Sequence, residues 1–243
     1  MENRFDEIKS SVINTLKEIL YPLTAIVVSF LAGAILVYSF GNSPTVAYKA
    51  LFLGALGDLN KFGETLVTTT TLILTGLSVA FAYKCGLFNI GAEGQFIMGS
   101  IAAVWIGWAL EGLPPLIHVT ITLLVGALAG GIWAGIVGWL KAKVGSHEVI
   151  NSIMMNYIAM NLSNYLVMRA LNEPGKAFSV EIAQTAKLWR FSQTFEQFKY
   201  SRLHVGIIIA IIVALAAYYL LNRTVIGYEI RSVGFNPDAS EYG

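Results

Sequence analysis

The sequence predicts an all-α integral membrane protein with about six transmembrane helices, on three observations. Hydrophobic residues fill 56% of the 243 positions and charged residues only 13%, with a mean hydropathy of +0.64; soluble domains carry about a quarter charged residues. Several apolar runs approach the roughly 20 residues that a helix needs to cross a bilayer. Glycine is frequent (23) and proline scarce (6), a balance that suits closely packed membrane helices.

Residues 1–20 place Phe5, Ile8, Val12, Leu16, Ile19 and Leu20 on one helical stripe with charges opposite. That pattern predicts an amphipathic helix lying at the cytoplasmic surface of the membrane. Glu2, Asp6, Glu7 and Glu18 interrupt this stretch, so it does not read as a cleavable signal peptide. The membrane domain, 21–221, holds predicted spans at 21–41, 66–83, 87–110, 115–140, 149–170 and 204–221. A polar loop at 171–202 is long enough for a helix of its own, and 222–243 is a polar tail.

Charge orients the chain only in part. With the N-terminus inside, Arg4, Lys9, Lys17, Lys84, Lys141, Lys143, Arg223 and Arg231 are cytoplasmic, and eight basic residues lie opposite. Setting aside 169–202, which holds six of those eight, leaves an excess inside, as the positive-inside rule requires.

Span by span, polar and small residues recur at helical spacing. In the second, Thr68, Thr71, Thr75 and Ser78 share a narrow arc; such hydroxyls back-bond to their own helix, bond a neighbour, or line a cavity. In the fourth, Gly126, Gly130, Ala134 and Gly138 form one ladder and Ala127, Gly131 and Gly135 a second, which predicts close helix packing.

The third span opens with "GLFNIGAEGQF", 86–96, where Gly86, Gly91 and Gly94 predict a broken or irregular helix start near 86–95. Asn89, Glu93 and Gln95 bring two amides and a carboxylate to an apolar run. Irregular backbone at membrane depth survives only where protein or a water-filled cavity satisfies it, and a carboxylate there needs partners. The three residues therefore read either as caps for a broken helix or as part of a translocation path. On a continuous helix, Asn89 and Glu93 would be neighbours at i,i+4.

In the fifth span Ser152, Asn156, Ala159 and Ser163 fall within about 60° of one another at 100° per residue, a small polar stripe on an apolar helix. Neutral amides and hydroxyls facing a cavity suit an uncharged, hydrogen-bonding solute, and interhelical bonds explain them equally well. His118, His147 and His204 mark span ends and carry no metal spacing.

Other chemistries are excluded more directly. The single Cys85 supports neither a disulfide framework nor a cysteine metal site, and no metal or cofactor motif is present. Lys plus Arg (16) balance Asp plus Glu (15), so there is no basic field for nucleic acid. No Walker loop or nucleophile elbow occurs. Ser152 and His147, the nearest nucleophile–base pair, point about 140° apart on a helix at 100° per residue.

The tail reads "GYEIRSVGFNPDASEYG", 227–243. Asn236, Pro237 and Asp238 make a helix start: a cap, proline at the first position and an acid in the first turn. That helix stops at Gly243 after about two turns at 3.6 residues per turn, which reads as a C-terminally truncated segment.

With "GLFNIGAEGQFIMGS" (86–100), "HEVINSIMMNYIA" (147–159) and this tail, the chain resembles the permease subunits of bacterial nucleoside ABC importers. These group with the permeases for ribose, other simple sugars and branched-chain amino acids, and "NIGAEGQ" resembles the larger of the two nucleoside permeases. The resemblance implies a heterodimer with a second permease subunit, cytosolic ATPase subunits and an extracytoplasmic nucleoside-binding lipoprotein, all at a bacterial plasma membrane. It implies a cytoplasmic N-terminus and a loop 171–202 that faces the binding protein. Gly227, Gly234, Asn236, Pro237 and Asp238 would then lie in the element that docks on an ATPase, and Asn89, Glu93, Gln95, Ser152, Asn156 and Ser163 are candidates for the solute path. The function expected is transport, not catalysis. The competing expectation is an ion-coupled secondary transporter with Glu93 as its ion site.

Overall fold

The computed structural model describes residues 2–173, 175–176 and 178–242, with side chains from residue 20 onward. Nine α-helices follow one another among them: α1 (Glu2–Ser39), α2 (Pro44–Leu56), α3 (Leu59–Lys84), α4 (Ala92–Ala109), α5 (Pro115–Val144), α6 (Glu148–Arg169), α7 (Gly206–Arg223), α8 (Val225–Phe235) and α9 (Pro237–Glu241). No strand forms among the described residues; the extended pairing consists of two isolated bridges, Asn172 with Ser179 and Arg190 with His204. The chain is an all-α, multi-pass membrane protein in two compact units, 1–62 and 63–243.

Within the first unit, α1 runs unbroken from Glu2 to Ser39, so residues 2–20 of the expected surface helix and the first predicted span form one helix. Pro22 lies inside it; its missing N–H removes a single bond, to the Glu18 carbonyl. The amphipathic stripe Phe5–Ile19 lies outside the described side chains. Helix α2 was not foreseen, although Pro44 at its first turn is a start signal. Its 13 residues span about 20 Å at 1.5 Å each, too short to cross. Its Tyr48 hydroxyl donates to the Phe30 carbonyl, and Phe30 meets the Tyr48 and Phe52 rings at 5.2 and 6.3 Å. A Cβ at Gly33 would stand 2.8 Å from that hydroxyl.

Among the described residues, four helical segments are long and apolar enough to cross a membrane: Leu20–Ser39, Leu59–Lys84, Pro115–Val144 and Gly206–Arg223. The other two predicted spans are the helices α4 and α6, which fall short on composition. Glu93 and Gln95 open α4, and Asn151, Asn156, Asn161 and Asn164 punctuate α6. Each of the six predicted spans thus falls on a helix, but only four of these helices have the length and apolarity to cross.

The second unit is built around α4, which packs chiefly on α5 and then α6. The first glycine ladder explains the closest approach. A Cβ at Gly99 would lie 2.9 Å from the Gly126 carbonyl oxygen, and one at Gly130 would lie 3.0 Å from that of Gln95. Gly138 and the second ladder's Gly131 and Gly135 have nothing within 4 Å of a built Cβ. The packing expectation therefore holds for Gly126 and Gly130 and not for Gly131, Gly135 or Gly138. Trp133 adds an indole N–H donated to the Met155 carbonyl at 3.3 Å, joining α5 to α6.

Among its described residues, the segment 171–202 forms no α-helix. It folds as three single 3₁₀ turns, Gln184–Ala186, Phe191–Gln193 and Glu196–Phe198, laid on one end of the helices. The Ala183 N–H donates to the Gly107 carbonyl at 2.8 Å. His118 is fully buried beneath, with Nδ1 2.8 Å from the Thr185 hydroxyl and Nε2 3.4 Å from the Ile106 carbonyl. Because a carbonyl only accepts, Nε2 donates to Ile106, and Nδ1 and the Thr185 hydroxyl share the second bond. At the loop's far end, Arg202 donates to Glu64 of α3 through Nε (2.9 Å), Nη2 (2.7 Å) and its backbone N–H (2.5 Å). Local helix propensity is weak across this polar segment, so contacts to the helix ends decide its path.

Gly126→Val should push α4 from α5 and destabilise the detergent-solubilised chain by about 1–3 kcal/mol. Gly131→Val, on the open face, should leave the thermal midpoint unchanged or slightly raised, since valine exceeds glycine in helix propensity.

Candidate functional site

Helix α3 ends at Lys84, the chain turns through Gly86 at φ 77°, and residues 85–91 stay non-helical until α4 begins at Ala92. The irregular start predicted near 86–95 is present. A helix start leaves its first N–H groups without intrahelical acceptors, and here the N-cap is Gly91, which has no side chain. Asn156 of α6 supplies the acceptor. Its Oδ1 takes the Gly94 N–H at 2.9 Å, while its Nδ2 donates to the Ile90 carbonyl at 3.0 Å. Gly94 is buried in this contact, and a Cβ there would lie 2.8 Å from Asn156 Oδ1.

Asn89 and Gln95 form a reciprocal amide pair across the same irregular stretch. Gln95 Nε2 donates to Asn89 Oδ1 at 2.9 Å, and Asn89 Nδ2 returns to Gln95 Oε1 at 3.3 Å. Ser78 of α3 donates to Gln95 Oε1 at 2.8 Å and accepts from Asn89 Nδ2 at 3.0 Å. Asn89 Oδ1 also takes the Gly91 N–H at 2.9 Å. The hydroxyl stripe on α3 thus divides: Thr68 and Thr75 back-bond to carbonyls four residues earlier, and Ser78 reaches α4.

Glu93 stands apart from this network. Asn89 precedes the helix, so the two are not helical neighbours. Glu93 is exposed and makes no hydrogen bond or ion pair among the described residues. As an acid in the first turn of α4 it complements the helix dipole.

The small polar stripe of α6 turns toward α4. Ser152 is 1% exposed and Ala159 fully buried, with the Ser152 hydroxyl donating to the Glu148 carbonyl at 2.6 Å. Ser163 is half-buried. Among the other asparagines, Asn151 donates to the Ser146 hydroxyl and Asn161 to the Tyr157 carbonyl, whereas Asn164 is exposed. A cavity of about 260 Å³ opens beside the amide pair, lined by Phe88, Asn89, Gln95, Gly138, Glu148 and Ser152. Glu148 is held at its edge by Lys141, 2.8 Å away, across the turn between α5 and α6.

In the tail, Thr224 caps α8 by accepting the Gly227 N–H at 3.1 Å. That cap was missed in the sequence, although Thr before an apolar run is a start signal. Gly227 is buried at the α7–α8 corner, where a Cβ would overlap the Leu220 carbonyl. Asn236 caps α9 as expected, accepting the Ala239 N–H at 3.1 Å, with Pro237 at the first position and Asp238 in the first turn. Gly234 lies inside α8 without a positive φ; what demands glycine there is contact. A Cβ at Gly234 would overlap the Lys84 carbonyl oxygen and lie 3.1 Å from the Gly86 nitrogen. A cavity of about 400 Å³ flanks this contact, with Lys84, Leu87, Phe88, Arg231 and Phe235 in its wall. No group of three or more His, Cys, Asp or Glu suited to a metal occurs among the described residues.

A family model described as branched-chain amino acid transport system / permease component matches residues 62–243. The guanosine ABC transporter permease protein NupP of Bacillus subtilis is 43% identical over 231 residues, which cover 95% of this chain and 65% of that protein. The nucleoside ABC transporter permease protein NupB of Lactococcus lactis is 39% identical, over 94% of this chain and 64% of its own length. A glucose ABC transporter permease protein of Haloferax volcanii is 30% identical, over 90% of this chain and 59% of its own. The chain therefore spans about two thirds of the length of the first two of these relatives. No solved structure matches it.

Asn156→Ala should leave the buried Gly94 N–H without its acceptor and lower stability by about 1–3 kcal/mol. Ser163→Ala should stay within about 0.5 kcal/mol, so denaturation of the two purified variants separates a capping asparagine from a merely polar helix face.

Proposed function

The chain belongs to the family of branched-chain amino acid transport system permease components, and from that premise we propose that it is a membrane-spanning subunit of an ATP-binding-cassette importer. Its solute is a nucleoside or a similar neutral, polar compound. The observation that carries this reading is the match of nearly the whole chain to two permeases named for guanosine and for nucleosides.

The geometry supports the same assignment chemically. Ser78, Asn89 and Gln95 together offer donors and acceptors without net charge beside a cavity. Such a surface can exchange hydrogen bonds with a neutral solute at low electrostatic cost. An ion would instead demand a charged partner at depth. Asn89 and Gln95 line the path in this reading. Ser152 and Asn156 hold α6 against the start of α4, Ser163 lies about two turns further along α6, and Glu93 stands at the exposed rim.

ATP hydrolysis belongs to separate cytosolic ATPase subunits, on which α8 and α9 dock through the segment of Gly227, Asn236, Pro237 and Asp238, in which Gly234 faces inward to the end of α3. A second permease completes the path, and an extracytoplasmic binding lipoprotein delivers the solute to the 171–202 loop. The contacts support one orientation. The loop touches the start of α3 at Glu64, the end of α4 at Gly107 and the start of α5 at His118. The opposite ends carry the Lys84–Gly86 turn and the tail packed on it. In this reading the loop and the tail face opposite sides of the membrane, with the tail in the cytoplasm of a bacterial cell; a cytoplasmic N-terminus rests on the family resemblance alone. The ion-coupled alternative needs Glu93 buried with partners, and its exposure offers that reading no support.

Uptake of labelled guanosine by the reconstituted full-length complex tests this. It should require ATP, ignore ionophores, persist in Glu93→Gln and fall about tenfold or more in Gln95→Leu, which removes both an amide and its partners' bonds. Ionophore-sensitive uptake that stops in a folded Glu93→Gln variant would select ion coupling instead.

A further inference from the structure

The tail and the turn after α3 meet backbone to backbone. Beyond the overlap of a Gly234 Cβ with the Lys84 carbonyl, a Cβ on Gly86 would lie 3.2 Å from Gly234 Cα and 3.3 Å from its carbonyl oxygen. Where two chains touch through side chains, rotamer changes absorb small displacements. Here no side chain stands between them, so a shift of one segment must move or separate the other.

Both sides of the contact are braced. On the tail side, α8 is capped by Thr224, seated on α7 through Gly227, and tied by Arg231, whose Nε donates to the Gly227 carbonyl at 3.3 Å. Asn236, which starts α9, follows Gly234 by two residues. On the other side, the N–H groups of Cys85 and Leu87 donate to the Ala82 carbonyl and that of Gly86 to Tyr83, which fastens the turn to the end of α3. From Gly86 the chain reaches Asn89 in three residues, at most about 11 Å when extended. Asn89 is bonded to Gln95 and Ser78. The cavity beside Lys84 and Arg231 leaves the contact room to open.

We propose that Gly86 and Gly234 are positioning residues of the transport cycle: their contact carries movement of the tail to the start of α4 and to the Asn89–Gln95 pair. The proposal rests on the ATP-driven reading above. It assigns to Gly234 a role distinct from docking, since its backbone faces α3 rather than a partner.

Cys85, the chain's single cysteine, is half-buried beside the contact and reports on it. The full-length complex, with Cys85 kept as its one cysteine and any others replaced, is assayed for guanosine binding, basal and guanosine-stimulated ATP hydrolysis, and maleimide modification of Cys85 with and without ATP plus vanadate. In the unaltered chain, nucleotide trapping should change the Cys85 rate about fivefold or more, the lower bound of ordinary allosteric coupling. Gly234→Ala should keep assembly, guanosine binding and basal hydrolysis while losing most of the stimulation and of the Cys85 change. Gly86→Ala combined with it should add little, because both act on one contact.

Should Gly234→Ala not assemble, Leu87→Gly decides. It softens the link beyond an intact contact, so the Cys85 change should persist while stimulation falls. Normal stimulation in assembled Gly234→Ala or in Leu87→Gly overturns the proposal, as does a Cys85 rate indifferent to nucleotide in the unaltered complex. ATP hydrolysis that guanosine fails to stimulate in the unaltered complex overturns the nucleoside reading instead, and the Cys85 rate alone then judges the contact.

Discussion

A helix that begins inside a membrane protein must find acceptors for its first N–H groups where water is scarce, and the arrangement of residues 63–243 follows from how α4 meets that demand. Gly91 cannot cap it. The acceptor comes from Asn156, 62 positions along the chain from Gly94, so the α4–α6 contact is a condition for α4 to start where it does. That contact in turn requires a glycine at 94, since a Cβ would press on Asn156. Small Ser152 and fully buried Ala159 extend the same face of α6. The amide pair of Asn89 and Gln95, tied to Ser78, then fixes the non-helical stretch just before the helix. Five hydrogen bonds among neutral groups hold this stretch without an ion pair.

Close backbone approach recurs as the means of assembly, as expected where lipid gives helices no hydrophobic reason to associate. Gly99, Gly126 and Gly130 bring α4 onto α5, Gly227 folds α8 onto α7, and Gly234 sets α8 against the Gly86 turn. At the other end of the unit the device changes. Polar loop residues close over the helix ends through the buried His118–Thr185 bond and the Arg202 fork on Glu64. The buried His118 finds a partner for each ring nitrogen near the membrane edge, and Arg202 sets two guanidinium donors on Glu64 Oε2. In the proposed role these two ends have different work. The loop end is braced for docking, whereas the tail end touches the amide cluster through three residues of backbone.

Legibility of the site varied with how local its chemistry is. The irregular start at 86–95 was readable because three glycines interrupt a helix regardless of what surrounds them. The cap at Asn236 was readable because cap, proline and acid are adjacent. Ser78 was placed correctly on a hydroxyl face, but its partner was not, since Gln95 lies on another helix. The requirement for glycine at 234 was not legible, because it comes from a contact with Lys84 and Gly86 and not from a positive φ. Glu93 invited a functional reading as the one acid in a greasy stretch, yet it points away from the network that its neighbours form.

By composition and periodicity alone, the sequence determined that this is an all-α membrane protein, where its main helices lie, and which stretch interrupts them. Those properties depend on the solvent around each segment and on spacing along one helix. Only the tertiary structure decided which glycine ladder is packed, that 171–202 folds as 3₁₀ turns against the helix ends, and which asparagine caps α4. Each of these is a choice among chemically equivalent candidates, Gly126 or Gly131, Asn156 or Asn164. It is made by which backbone group lies within about 3 Å, a distance between segments far apart in the chain.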